Sequence, residues 1–346
     1  MVTSMEREFK KYNSIENTYR EKFIEMIKSK APQLINAQWS ITEKIHGANV
    51  QICLEGDEIE VGKRTAFIEG EENFYNIQQV LGEHFNNVRR LKHGIEEIKA
   101  EPIDRIIVFG ELFGGTYRHK DVEPVKNAST IQKGVQYCPQ NSVIFFDIWV
   151  EYSNGTSEYL APSVFEKFME YAKLPYQRSI VVNSLQEALD YPNDEPSLIY
   201  QRFHLPQLED NIREGVVIKP YRTDVFIHNG QRVILKNKNE RFAEVSRHPK
   251  KEVKPTDLPD KLQAILNELE AYITENRLNN VLSHIGEVTI NDVGKVIGLM
   301  NKDVMDNYQA DTGNFNTLEK SENKAISKRV NQLVSKFVRD TLLPKL

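Results

Sequence analysis

Cysteine is nearly absent from this sequence: Cys53 and Cys138 are the only two in 346 residues. They form neither a disulfide framework nor a zinc-type spacing, so a reducing compartment is the expectation. Long apolar runs are missing too. The opening MVTSMEREFKKY has no apolar stretch of the kind a secretory signal needs, and no run approaches the roughly 20 apolar residues of a membrane span. The expectation is a cytoplasmic chain with no membrane association. An excess of one charge is also lacking, since 45 Lys and Arg against 50 Asp and Glu leave a net charge of −5. That argues against a nucleic-acid coat protein but permits a local basic groove. His84, His93, His119, His204, His228, His248 and His284 show no metal-ligand spacing. Neither a G-x-x-x-x-G-K-[ST] loop nor a G-x-G-x-x-G after a strand occurs. Any nucleotide chemistry must therefore rest on other residues.

The length suits two domains. Ile15, Tyr19, Phe23, Ile24 and Ile27 follow Ser14 at helical spacing, which predicts a helix over 14–30. AQWSIT and NVQICLEGDEIEVGKR read as strands, with a turn at Glu55-Gly56-Asp57. RIIVFGELF, NSVIFFDIWV, EGVVIKP and RVILKNK read as further strands, rich in β-branched and aromatic residues. A helix is expected from Pro162 to Lys173. The strands lack regular helical crossovers, so the class is α+β with antiparallel sheets and flanking helices. SRHPKKEVKPTDLPD suits a linker. Beyond it Leu262, Ile265, Leu266, Leu269 and Ile273 mark one helical face, and two more helices follow near 291–308 and 318–343. The expected domains are 1–247, and a small all-helical one over 254–346.

Polar groups interrupt the strands in a set order: Lys44-Ile45-His46-Gly47, Lys63-Arg64, Phe109-Gly110-Glu111, Phe146-Asp147, Glu214 to Lys219, and Lys236-Asn237-Lys238. A charge at a strand end is usually solvated, and each group alone says little. Lysines at i and i+2 of a strand share one face, where their repulsion is relieved by an anion such as phosphate between them. Only the ordered set distinguishes a site from a polar surface.

That order resembles the covalent nucleotidyltransferases, the polynucleotide ligases and capping enzymes. Within them the chain is similar to the RNA ligase 2 family, which groups a phage RNA ligase with the kinetoplastid RNA-editing ligases. FKKYNSIENTYREKFIEMI, EKIHGANV, NRLNNVLSHIGEV and DVGKVIGLM resemble the phage enzyme, while GELFGGTY and IQKGVQYCP resemble the editing ligases. The intervening 118–130 reads as an insertion. Departures are Ala48, where the family usually has Thr, Thr42 before the Glu-Lys pair, and Ala66, where Gly is common.

The resemblance implies a nucleotidyltransferase (ATP-grasp-like) domain over 1–247 and an ATP-dependent RNA ligase that joins 3′-hydroxyl to 5′-phosphate ends. Lys44 is then the nucleophile that carries AMP, with His46, Lys236 and Lys238 as catalytic partners. The nucleotide site implied is Glu43, Lys44, Ile45, Asn49, Arg64, Glu111, Phe146, Glu214, Lys236 and Lys238. Glu214 is implied for Mg2+ (or Mn2+), and Lys63, Arg64, Gln132 and Lys133 for RNA contact. Gly47 is expected to let backbone approach the nucleotide. The expected partner is a nicked RNA duplex bound by a monomer, in RNA repair or editing. The alternatives are a capping guanylyltransferase or DNA ligase, which usually carry aspartate at the position of His46 and a β-barrel at the end, and a catalytically inactive nucleic-acid-binding relative.

Overall fold

A computed structural model describes residues 8–70, 72, 74–227, 230–246 and 258–346. The chain divides into two compact units, Met1–Asn239 and Glu240–Leu346. Of the expected linker, 246–260, residues 247–257 lie outside the described residues. Residues 240–246, expected with the first domain, are bonded to the helices of the second unit. Asn276 Nδ2 donates to the carbonyls of Arg241 and Ala243, both at 2.9 Å, and the Ser246 amide donates to Ala271 O at 2.8 Å.

The first unit holds two five-stranded sheets. One runs in the order β1 (Glu16–Asn17), β12 (Leu235–Lys238), β9 (Gly215–Pro220), β2 (Trp39–Glu43), β8 (Ile180–Val182). The other runs β4 (Glu58–Lys63), β3 (Ala48–Glu55), β5 (Ile103–Gly114), β6 (Asn141–Tyr152), β7 (Ser157–Tyr159). Every pairing in them is antiparallel except β1 with β12. A short ribbon joins β10 (Phe226–Ile227) to β11 (Gln231–Arg232).

Period-two alternation sorts these strands into layers. Val50, Ile52 and Leu54 of β3, with Ile106 and Val108 of β5, face a core completed by α3 (Phe85–Lys99) and α4 (Pro162–Ala172). Pro162 starts α4 where its missing N–H costs nothing, and Lys173 ends it in the left-handed region. The opposite face presents Cys53, Ile107, Phe109 and Trp149, which pack with Tyr12 and Ile234 between the sheets. On the far side of the first sheet Trp39, Ile41, Val216, Ile218 and Leu235 meet Phe23, Ile24 and Ile27 of α1 (Glu21–Lys30). Helices α2 (Ile77–Gly82) and α5 (Leu185–Leu189) are short.

The helix expected from Ser14 begins only at Glu21. The Glu16 amide donates to Ile234 O and the Thr18 amide to Lys236 O, both at 3.0 Å. A sheet edge claims this backbone, and Tyr19 is exposed rather than on an apolar face.

The second unit is all helical among its described residues: α6 (Asp260–Glu270), α7 (Glu275–Ile285), α8 (Val293–Thr312) and α9 (Lys320–Leu342). Ile326, Val330, Val334, Val338 and Leu342 recur every fourth residue of α9 and are all buried. Leu262, Ile265, Leu266 and Leu269 form the inner face of α6, as their spacing predicts. Thr274 caps α7 by accepting from the Arg277 amide. Among the described residues no helix is long and apolar enough to cross a membrane.

Candidate active site

Lys44 follows the last residue of β2. Alternation turns Trp39 and Ile41 toward α1, and sends Ser40 and Thr42 to the face that looks at the other sheet. Lys44 continues in phase with them, and its amide donates to Gly215 O at 2.9 Å. Glu214, the residue just before β9, is thereby delivered beside it. Gly215 makes that junction possible: φ is +153°, and a Cβ there would sit 2.1 Å from Asn237 O on β12.

Glu214 is the hub of the cluster and is 2% exposed. Its Oε2 accepts from Lys44 Nζ at 2.7 Å and lies 3.3 Å from His46 Nδ1, while Oε1 lies 3.1 Å from Lys238 Nζ. Burial alone would raise its pKa, but Lys44, Lys238 and His46 outweigh that and hold the carboxyl well below its ordinary range. Lys236 and Lys238 share the face of β12 that carries this cluster, opposite Val217 and Gly215 of β9.

The second sheet supplies the facing wall. Asn49 of β3 lies opposite Glu111 of β5 in register. Burial raises the Glu111 carboxyl to about 7, opposed by Lys44 and Arg64 and reinforced by Glu214. Gly47 brings the turn after Lys44 onto β5, where a Cβ would meet Leu112 O at 2.2 Å. The close approach expected of this glycine is thus made to the protein's own backbone.

Glu43 points away from Lys44, as the pleat requires. One carboxyl oxygen accepts from the Leu198 amide at 3.4 Å, while Oε1 is buried with no hydrogen-bond partner. Burial raises this carboxyl to about 7, with Ser197, Leu198 and Arg213 opposing. Ile45 is buried between Lys44 and His46.

Phe146 is half-buried, with its ring 5.0 Å from that of Tyr12. Behind it lies a buried polar network that the sequence reading did not assemble. Asp147 Oδ2 accepts from Tyr12 OH at 2.8 Å, Lys219 Nζ at 2.8 Å and Arg232 Nη1 at 2.6 Å. Lys219 also donates to Phe146 O at 2.9 Å. This network ties β6 in one sheet to β9 in the other, so it fixes Phe146 relative to Glu214. The signal was partly visible, since Asp147 and Lys219 both interrupt apolar strands.

Lys63 sits elsewhere. It pairs with Val50 on the core side of its sheet, where its ammonium meets Glu72 and lies 5.9 Å from the Phe74 ring. Arg64, one residue on, is close enough to Glu111 to act on its charge. Gln132 and Lys133 lie on the loop from β5 to β6, with Lys133 exposed.

For a divalent cation, no group of three or more His, Cys, Asp or Glu gathers among the described residues. Glu214 and Glu111, each within the other's field, are the acids at hand. That set suits Mg2+, which is typically held by one or two carboxylates with substrate phosphates and water.

The cluster thus consists of an amine on a buried carboxylate, a second lysine on its other oxygen and one facing acid, Glu111. The RNA ligase family model matches residues 37–238, more than half of the chain, and the chain belongs to that family. A second match, to the T4 RNA ligase 2 C-terminal domain, spans 256–336 and agrees with the RNA ligase 2 resemblance. Curated relatives include the mitochondrial RNA-editing ligases 1 and 2 of Trypanosoma brucei brucei. The first is 26% identical over 309 residues, covering 77% of this chain and 64% of the relative, so the match spans just under two thirds of that protein. The second is 26% identical over 358 residues, covering 88% of this chain and 84% of the relative. Among solved structures, a Naegleria gruberi RNA ligase mutant with ATP and Mn is 16% identical with a TM-score of 0.42, covering 68% of this chain and 57% of that one.

Proposed function

We propose that this chain is an ATP-dependent RNA ligase that seals a 3′-hydroxyl to a 5′-phosphate, most simply at a nick in a duplex. The observation that carries the reading is Lys44 held 2.7 Å from a buried glutamate that a second lysine also grips. The amine of Lys44 attacks the α-phosphorus of ATP. An N–P bond forms, the α–β phosphoanhydride bond breaks, pyrophosphate leaves and the amine loses a proton. A 5′-phosphate oxygen of RNA next attacks the adenylyl phosphorus, breaking the N–P bond and freeing Lys44. The 3′-hydroxyl then attacks the 5′-phosphorus, releasing AMP and a proton.

Lys44 attacks only as a free amine, so its pair with Glu214 has to open when the nucleotide enters. Lys236 and Lys238 meet the phosphate charge that develops, since catalysis of phosphoryl transfer is mostly positioning and charge stabilisation. Glu43, through its unpartnered buried oxygen, is the acceptor for an amino group of the base. Phe146 offers a ring face, and Asn49, Arg64 and Glu111 line the sugar–phosphate side. Mg2+ would be held by Glu214 with Glu111 beside it, and would neutralise phosphate charge. The RNA contacts are assigned to Arg64, Gln132, Lys133 and the helical unit, whose last helix carries Lys320, Lys324, Lys328, Arg329, Lys336 and Arg339.

The test uses ATP labelled in the α-phosphate, followed by denaturing electrophoresis. The wild-type chain should retain label and Lys44→Ala should not. Label held by Lys44→Ala would move the nucleophile elsewhere, and no label on the wild type would remove the ligase reading. Guanylylation equal to adenylylation in competition would favour a capping enzyme.

A further inference from the structure

A nucleophilic lysine has a long flexible stem, so its aim depends on how firmly the backbone on either side of it is held. Here the two sides are held by parts of the chain far away in sequence. On the His46 side, the backbone amide donates to Tyr137 OH at 2.8 Å. Tyr137 is 1% exposed and rests edge-on against Phe113, with ring centroids 5.2 Å apart. On the Glu43 side, the carboxylate accepts from the Leu198 amide.

Asn211 joins these two supports. Its Oδ1 accepts from the Gln136 amide at 2.9 Å, and its Nδ2 donates to Gln136 O at 2.7 Å. Its own carbonyl accepts from the Ser197 amide at 2.9 Å. A closed circuit therefore runs from His46 through Tyr137, Gln136, Asn211, Ser197 and Leu198 to Glu43, with Lys44 inside it. Asn211 is buried and lies three residues before Glu214.

We propose that Tyr137 and Asn211 are positioning residues that aim Lys44 at the α-phosphorus, a role that rests on the ligase reading above. Their work falls on the step in which Lys44 is the nucleophile. Sealing of a strand that already carries AMP does not form a bond to Lys44 and does not need this circuit. Because Tyr137 closes the loop that also carries Gln132 and Lys133, the same contact links a candidate RNA-binding segment to the nucleophile.

Tyr137→Phe keeps the ring on Phe113 and removes only the acceptor for the His46 amide. The single-turnover rate of Lys44 adenylylation should fall about tenfold, the scale on which a lost buried hydrogen bond acts. The ATP concentration for half-maximal rate and the rate of sealing a pre-adenylylated nick should stay within about twofold of wild type. Asn211→Asp, which loses the donation to Gln136 O, should show the same split with a smaller fall. A general loss of packing would instead lower both rates together. Wild-type adenylylation by Tyr137→Phe overturns the inference, and so does an equal loss in both steps. Failure of the wild type itself to take label is a different result, because it removes the ligase reading on which the inference stands.

Discussion

Glu214→Gln removes one negative charge from between two lysines and a histidine and leaves the side-chain volume almost unchanged. Lys44, His46 and Lys238 are then left facing one another across a carboxamide, with side-chain exposures of only 20%, 15% and 14%. Breaking a buried ion pair by removing one partner costs about 3–5 kcal/mol. The partial exposure of Lys44 and Lys238 argues for the low end, about 3 kcal/mol. In a unit of this size each kcal/mol moves the melting temperature by about 2–4 °C, so the expected fall is about 6–12 °C. Differential scanning calorimetry at about pH 7.5 reads it directly.

The pH dependence gives a second, independent check. The folded carboxyl is held well below its ordinary 4.5. Its contribution to stability is therefore fully present above that value and is lost as pH falls toward the folded pKa. The gap between variant and wild type should close as acid is added below about pH 4.5. Glu214→Gln with Lys44→Met should recover part of the loss, because one of the repelling charges is gone. A variant that melts within a degree or two of wild type near neutral pH would refute the picture of Glu214 as the hub.

Glu43→Gln should stabilise the first unit by about 3 kcal/mol near pH 8.5 and by less than about 1 kcal/mol near pH 5. The sign follows from a folded pKa raised to about 7, which favours the fold while the acid is protonated and disfavours it as pH rises through that value; the same variant should lose preference for ATP over GTP in a labelling competition. Gly47→Ala should push the turn after Lys44 off Leu112 O, lowering both the melting temperature and label transfer; a variant with wild-type melting and labelling would refute the close approach. A fragment ending at Asn239 should still take label from ATP and seal a 5′-phosphate nick poorly. It should be better behaved than one ending at 247, which exposes the buried ring of Phe242; full sealing by the shorter fragment would count against a role for the helical unit in RNA engagement.

Much of the site was legible because strand geometry is simple. Lys236 and Lys238 share a face by period two alone, and the order of charged interruptions led to Lys44, Glu111 and Glu214. The same rule already implied that the adjacent Lys63 and Arg64 must point to opposite faces, and Lys63 is indeed on the core side. Tyr137 and Asn211 were not legible. Tyr137 meets His46 across 91 residues and Asn211 meets Gln136 across 75, and nothing local in YCP or DNI marks either as a support. Tyr12 and Arg232 escaped for the same reason, since their partner Asp147 lies 135 and 85 residues away. The helix start failed differently. Ile15 and Tyr19 match a helical period, but over so few residues that pattern cannot compete with backbone pairing to β12.

Arg277 gives the boundary between the units a practical meaning. It is 1% exposed, donates to Tyr272 O at 2.8 Å, and reaches Asp303 and the carbonyl of Glu244. A guanidinium so placed sews 240–246 into the helical unit, while the Asn239 amide is still bonded to Glu214 O at 2.8 Å. The chain thus changes allegiance within one peptide bond, between Asn239 and Glu240. Anyone grafting this helical unit onto another member of the family should cut at that bond and carry 240–246 with the graft. A cut in the proline- and lysine-rich stretch, the natural choice from composition, would leave buried Arg277 without the Glu244 carbonyl it holds.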